Sequence, residues 1–315
     1  MTTPRPLRLG TRGSELALWQ SNHVAARIAA LAGAPPVELV VIRTSGDAIT
    51  DVPLSEVAGK AFFTKEIEDA LTAGEIDLAV HSLKDLATRV PDGLAVGAVL
   101  EREDPRDVLL AAAPVTLAML PAGARVGTSS LRRKAMLARA RPDVEPVELR
   151  GNVPTRIRRM LEGRYDAILL AAAGVKRLGM TAEVREHLDL GRFLPAVAQG
   201  AMAVELRAED ADTVRWVAPL DHAATRAATV AERALLARLE GGCQIPVGAH
   251  GEIVAGELRL RAEVCSLDGR RTVAGEERGT PADAATIGER LADELIEAGA
   301  GDLLDEIRAA LGSPQ

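Results

Sequence analysis

From Leu7 to about Val99 short apolar runs alternate with stretches of helical periodicity, and beyond a polar interruption the same rhythm starts again. That alternation belongs to βαβ units, in which strand-length runs lie parallel beneath covering amphipathic helices. A strand over Leu7 to Gly10 runs into Thr11-Arg12-Gly13-Ser14. Ser14 is placed to cap a helix whose apolar face carries Ala17, Val24, Ile28 and Leu31. Val37 to Ile42 reads as a second, buried strand. A helix capped by Thr64 and stopped at Gly74 then leads to a strand around Leu78 to Val80.

The polar run Glu101-Arg-Glu-Asp-Pro-Arg-Asp107 reads as an interdomain linker. After it come a strand over Val108 to Ala111, one ending at Gly127, a helix over Leu131 to Ala140, a strand over Val144 to Leu149, a helix opened by Pro154 and a strand over Ala167 to Leu170. Phe193 to Gly200 reads as a loop, and the strand Met202 to Leu206 fits either sheet. From Ala223 one long helix runs toward Gly241-Gly242. Leu258, Leu260, Ala262 and Val264 then alternate as in a half-exposed antiparallel strand, with Gly256 at a hairpin turn and a closing helix over Ala282 to Ala298.

Composition narrows the function. Aromatic residues are 2% of the chain and the net charge is −7, which argues against base-stacking surfaces and a general polyanion track, so no nucleic-acid partner is expected. Neither a signal peptide over Met1 to Gly10 nor a membrane span is apparent, which points to a cytoplasmic protein. Cys243 and Cys265 are expected as thiols, and the five scattered histidines show no metal-ligand spacing. Only five of the 38 basic residues are lysines, so an arginine carries information here through its placement alone.

Placement singles out several. In Gly127-Thr-Ser-Ser-Leu-Arg-Arg133 a strand end turns through three hydroxyl residues into a helix with two arginines in its first turn. This is either a carboxylate or phosphate site or a capped helix with solvated arginines. Leu149-Arg150-Gly-Asn-Val-Pro-Thr-Arg156 repeats the arrangement, and Arg12 follows the first strand. Ligands of open α/β sheets bind outside the carboxyl ends of strands, so these arginines are expected to face a polycarboxylate in one crevice. Lys84-Asp85 reads as a surface ion pair or, if enclosed, as a carboxylate stabilising developing positive charge. Cys243 follows Gly241-Gly242 and reads either as a buried, inert thiol, the commoner case, or as an accessible one, which the flanking glycines favour.

These segments, with Thr11-Arg12, Val80-His-Ser-Leu-Lys-Asp85, the Glu101 to Asp107 run, Leu149-Arg-Gly-Asn152, Leu194-Pro-Ala-Val-Ala-Gln-Gly200 and Leu239-Glu-Gly-Gly-Cys243, make the chain resemble the porphobilinogen deaminases, or hydroxymethylbilane synthases, nearly end to end. The resemblance implies a monomer of three α/β domains. Two are similar doubly wound lobes like those of periplasmic binding proteins, over 1–100 with 201–218 and over 106–194. A smaller C-terminal domain over 223–315 carries an antiparallel three-stranded sheet. It also implies a transferase of tetrapyrrole biosynthesis that deaminates porphobilinogen and joins it head to tail on a dipyrromethane cofactor, held by a thioether to Cys243.

By the same resemblance Asp85 is the catalytic carboxylate. Ser82, Lys84, Asp85, Thr128, Ser129, Ser130, Arg132, Arg133, Arg150, Gly151, Gln199 and Gly200 hold the cofactor. Arg12, Ser14, Lys60, Phe63, Arg150 and Arg156 hold substrate. Ala198 stands where the family pattern commonly has glycine.

Overall fold

Parallel pairing begins at the first strand. Leu7–Thr11 (β1) lies beside Val37–Val41 (β2) and, on its other edge, beside Leu78–Ser82 (β3). Leu94–Val99 (β4) follows. Next come Asp107–Leu110 (β5), Arg125–Gly127 (β6), Glu145–Val147 (β7), Ala167–Ala171 (β8) and Val184–His187 (β9). Met202–Arg207 (β10) precedes the C-terminal strands Val247–Val254 (β11), Glu257–Cys265 (β12) and Thr272–Gly279 (β13). The structure is a computed structural model describing residues 5–44, 64–239 and 245–312. Lys60, Phe63 and Cys243 lie outside these residues.

Internal packing divides the chain into two compact units. One takes the described residues up to Glu103 together with Ala201–Arg226; the other takes Asp104–Gly200 and the described residues from Ala227 onward. The first sheet has the order β2-β1-β3-β10-β4 and the second β7-β6-β8-β5-β9. Each places three parallel strands on one side of a single antiparallel strand, β10 in the first and β5 in the second. Met202 to Leu206 therefore belongs to the first sheet. It runs through the middle, and the run from Met202 to Leu206 is buried throughout. Val37 to Ile42, expected as buried, instead forms an edge strand with Val41 56% exposed.

Both sheets are covered on two faces, as the period-2 alternation of strands requires. In β3, Leu78 and Val80 pack with Val24 and Ile28 of the helix Glu15–Ala29 (α1), whereas Ala79 packs with Ile67 and Leu71 of Lys65–Thr72 (α2) on the other face. In the second sheet Leu109 and Leu169 join Met136 and Leu137 of Leu131–Ala140 (α3), and Leu110, Ile168 and Leu170 join Ile157 and Met160 of Val153–Leu161 (α4). Ser14 caps α1 through a bond from Ala17 N at 3.3 Å. Thr64 stands at the cap position of α2 but makes no side-chain cap bond. A short helix, Ala172–Arg177 (α5), follows β8, and Ala211–Val217 (α6) follows β10; neither was apparent in the sequence.

The antiparallel three-stranded sheet has the order β11-β12-β13. Its first hairpin pairs Val254 with Glu257 across Ala255 and Gly256, whose φ values of 52° and 86° are those of a two-residue turn matched to strand twist. The helices Ala223–Arg238 (α7) and Ala284–Leu295 (α8) complete this region. The closing helix expected over Ala282 to Ala298 breaks at Gly299 (φ 102°), and a further helix, Gly301–Leu311 (α9), follows. At Gly288 the two helices approach so closely that a Cβ would stand 2.2 Å from Ala231 O and 2.9 Å from Leu235 N. Alanine in an exposed helix interior is about 1 kcal/mol better than glycine. Gly288→Ala is expected to reverse that sign and lower the unfolding free energy by about 1–3 kcal/mol, read from the denaturant midpoint.

Candidate anion and catalytic site

In the first unit the expected residues gather at the carboxyl ends of the adjacent strands β1 and β3. Arg12, half-buried, follows β1, and Ser14 begins α1 two residues later. Ser82 closes β3 and accepts a hydrogen bond from Gln20 Nε2 at 2.9 Å. A single 3-10 turn, Leu83–Asp85, then projects Lys84, half-buried, and Asp85, exposed. Leu83 N donates to Ala201 O at 3.0 Å, which ties this turn to the start of β10. On the opposite face of β3, His81 Nε2 lies 3.0 Å from Glu205 Oε2, both side chains buried.

The second unit places its residues at the equivalent ends of β6 and β7. Thr128 is buried, and its N–H donates to Val147 O at 2.8 Å. Ser130 caps α3, accepting from Arg133 N at 3.4 Å. Ser129 is turned the other way, its hydroxyl donating to Leu149 O at 2.7 Å, so its proton is already engaged. After β7, Arg150 is half-buried and its guanidinium has no partner among the described residues. Gly151 has φ +107°, and a Cβ there would meet Thr155 Cγ2 at 2.9 Å; Asn152 then caps α4. Arg156 Nε donates to Gly151 O at 2.7 Å.

Arg132 and Arg133 differ from solvated arginines. They are 4% and 6% exposed, and both reach Asp107 at the start of β5, which is fully buried. Arg133 grips Oδ1 through Nε and Nη2 at 3.0 and 2.7 Å, Arg132 Nη1 meets Oδ2 at 2.8 Å, and Gln199 Nε2 adds a bond to Oδ1 at 2.8 Å. Leu194 O and Leu169 O accept further bonds from Arg132 and Arg133.

Burial pushes the Asp107 carboxyl up, but the two guanidiniums outweigh it and hold it far below the usual carboxylate range. Burial likewise lowers the affinity of Arg132 for its proton. Two cations face one anion, and Arg132 Nε is buried without a partner among the described residues. The excess positive charge lies at the N-terminus of a 10-residue helix, where an anion is further favoured. That geometry fits the carboxylates of a dipyrromethane.

The loop before β10 is also buried. Gln199 Nε2 donates to Pro105 O at 2.8 Å as well as to Asp107, and Gly200 O accepts from Arg177 Nη2 at 2.7 Å. Ala198 has φ +60°, the left-handed region in which glycine is free of Cβ strain. Its N–H is held by Glu232 Oε2 at 2.5 Å, and Glu232 Oε1 accepts from Gly251 N at 2.7 Å. Asp107, Gln20 and Glu232 were not recognised as site or supporting residues from the sequence. For Asp107 a signal became readable only with the fold: two adjacent arginines buried at the start of α3 call for a buried carboxylate.

Removing that carboxylate leaves two buried guanidiniums without their counter-charge. Asp107→Asn is expected to lower the unfolding free energy by about 3–5 kcal/mol, with part of the loss recovered in Asp107→Asn/Arg133→Gln, where one cation goes with the anion. Urea unfolding of both variants measures this. A single variant as stable as wild type would show that the network contributes no net stability.

Comparison with known proteins adds the chemistry. The family profile described as porphobilinogen deaminase, dipyromethane cofactor binding domain, matches residues 7–215, and that described as porphobilinogen deaminase, C-terminal domain, matches residues 227–297. A porphobilinogen deaminase of Syntrophobacter fumaroxidans is 50% identical over 308 residues, covering 98% of this chain and 100% of the relative. That of Trichlorobacter lovleyi is 50% identical over 304 residues, covering 96% and 97%. Among solved structures, the Bordetella pertussis BvgS periplasmic VFT2 domain aligns with 67% of this chain and 85% of its own at 13% identity and a TM-score of 0.38. With profiles covering both parts of the chain and relatives of half-identical sequence spanning it, the chain belongs to the porphobilinogen deaminase family.

Proposed function

We propose that this protein deaminates porphobilinogen and joins it head to tail into the linear tetrapyrrole hydroxymethylbilane, on a dipyrromethane primer held by a thioether to Cys243. The observation that carries this reading is the buried excess of positive charge at the start of α3, where Arg132 Nε has no partner among the described residues. A chain of pyrroles, each bearing an acetate and a propionate, supplies the anions such a site requires. Bound, the primer supplies a pyrrole with a free α-carbon as the point of extension.

The chain's own residues divide the work. In the second unit Thr128, Ser130, Arg132, Arg133, Arg150, Gly151, Gln199 and Gly200 hold the primer, with Arg150 offering a guanidinium that no described residue engages. Ser129 contributes through its oxygen, since its proton is on Leu149 O. In the first unit Arg12 and Ser14 orient substrate carboxylates, with Arg156 of the second unit and Lys60 and Phe63 in the same role, while Ser82 and Lys84 assist with the primer. Asp85 accepts the N–H of the porphobilinogen pyrrole and stabilises the positive charge that grows there as ammonia leaves. Its exposure at the end of a strand leaves it accessible to that nitrogen.

Three domains, 1–100 with 201–218, 106–194 and 223–315, fit this division of roles, with the protein working as a cytoplasmic monomer. Among the described residues no helix is long and apolar enough to cross a membrane.

Two measurements test the assignment. The intact mass of protein from porphobilinogen-producing cells is expected to exceed the sequence mass by one dipyrromethane, and Cys243→Ser to lack the excess; an unmodified wild-type mass would remove the primer from the mechanism. Asp85→Ala is expected to lower turnover of porphobilinogen by at least about a hundredfold with an unchanged unfolding midpoint. Near-normal turnover would take Asp85 out of the chemistry.

A further inference from the structure

We infer that Gln20 is a positioning residue that sets the polarity of Ser82, holding its hydroxyl as a proton donor toward a carboxylate of the pyrrole chain. The inference rests on the reading above that Ser82 touches that chain. Gln20 lies on the buried face of α1 with Ala17, Ser21, Val24 and Ile28, where an apolar residue would pack at no desolvation cost. It is 3% exposed. Its amide reaches Ser82 because alternate residues of β3 share a face: Leu78 and Val80 pack against α1, and Ser82 is next in that series.

A serine hydroxyl has one proton and two lone pairs. Gln20 Nε2, donating at 2.9 Å, occupies a lone pair. The hydroxyl makes no capping bond to the 3-10 turn that follows and donates to no acceptor among the described residues. The proton is thus left for an incoming group, and a carboxylate, which has only acceptors, is the group it suits. Without the amide the hydroxyl is free to turn a lone pair toward the same carboxylate.

Gln20→Glu reverses the interaction without changing its shape. The ionised carboxylate accepts the Ser82 proton and turns lone pairs toward the ligand, whereas the protonated carboxyl is a near-isostere of the amide and donates as it does. Burial raises the pKa of the introduced group. Relative to wild type, kcat/KM of Gln20→Glu is therefore expected to be near normal at acid pH and to fall about ten- to a hundredfold as pH rises through that pKa, measured from pH about 5 to about 8.5. Charged groups on and after the elements packed against α1, namely Arg8, Arg12, Glu38, His81, Lys84 and Asp85, with Glu15, His23 and Arg27 of α1 itself, are common to both proteins and cancel in the ratio.

Gln20→Met, which neither donates nor carries charge, is expected to show a smaller loss that does not vary with pH, and Ser82→Ala a loss of similar size. Unfolding midpoints are recorded throughout. A Gln20→Glu ratio flat across pH overturns the inference, whether activity is normal or uniformly reduced. If the buried acid prevents folding, a Gln20→Met enzyme with wild-type kcat/KM beside an impaired Ser82→Ala overturns it equally. An unimpaired Ser82→Ala instead overturns the role of Ser82 on which the inference stands.

Discussion

Asp107 organises the second unit's part of the site. Without its carboxylate Arg132 and Arg133 would be two like charges on adjacent residues in dry protein, which no protein interior accommodates unaided. With it, both guanidiniums are fixed, and the anion also draws Gln199 from the loop before β10 into the same network. Because Asp107 neutralises one cation and not two, the network remains positive. The same interaction therefore builds the core and leaves it with an unbalanced positive charge.

The second unit extends this logic to the C-terminal sheet. Arg139, at the far end of α3 from the arginine pair, grips Glu263 of β12 through both nitrogens and also reaches Arg192 O. Gly269, in the turn between β12 and β13, sits where a Cβ would stand 2.5 Å from Arg139 N, so the turn rests directly on the helix backbone. Gly248 of β11 approaches Leu194 and Met136 as closely. Cys265 belongs to the same buried cluster as Leu109, Met136 and Phe193. These close approaches, possible only at glycine, help explain why Asp104–Gly200 and the described residues from Ala227 onward pack as one unit.

Much of the architecture was legible because it is written in local chemistry. Ser14 caps the helix it precedes as its placement indicates, although Thr64 does not, and α3 runs from Leu131 to Ala140 as its periodicity indicates. Local pattern set Asp85 and the arginines just after their strands, where they stand, and the resemblance supplied only the roles expected of them. What local pattern misread is instructive: Val37 to Ile42 is as apolar as a central strand but lies at an edge, and Met202 to Leu206 gave no sign of which sheet it would join. Apolar runs record burial, not neighbours, and a strand's neighbours are set by pairings tens of residues away.

The amino-acid sequence by itself determined the α/β alternation, the helix starts and the family, since each depends on residues within one turn or one motif. Only the tertiary structure decided what those residues face. Arg132, Arg133 and Arg150 are indistinguishable as letters, yet two are buried on Asp107 while the guanidinium of the third meets no partner among the described residues. Gln20 and Ser82 stand 62 residues apart and meet because a helix and a strand bring one face of each together. A side chain's chemistry is local, but its charge balance and hydrogen-bond polarity come from whatever the fold places against it.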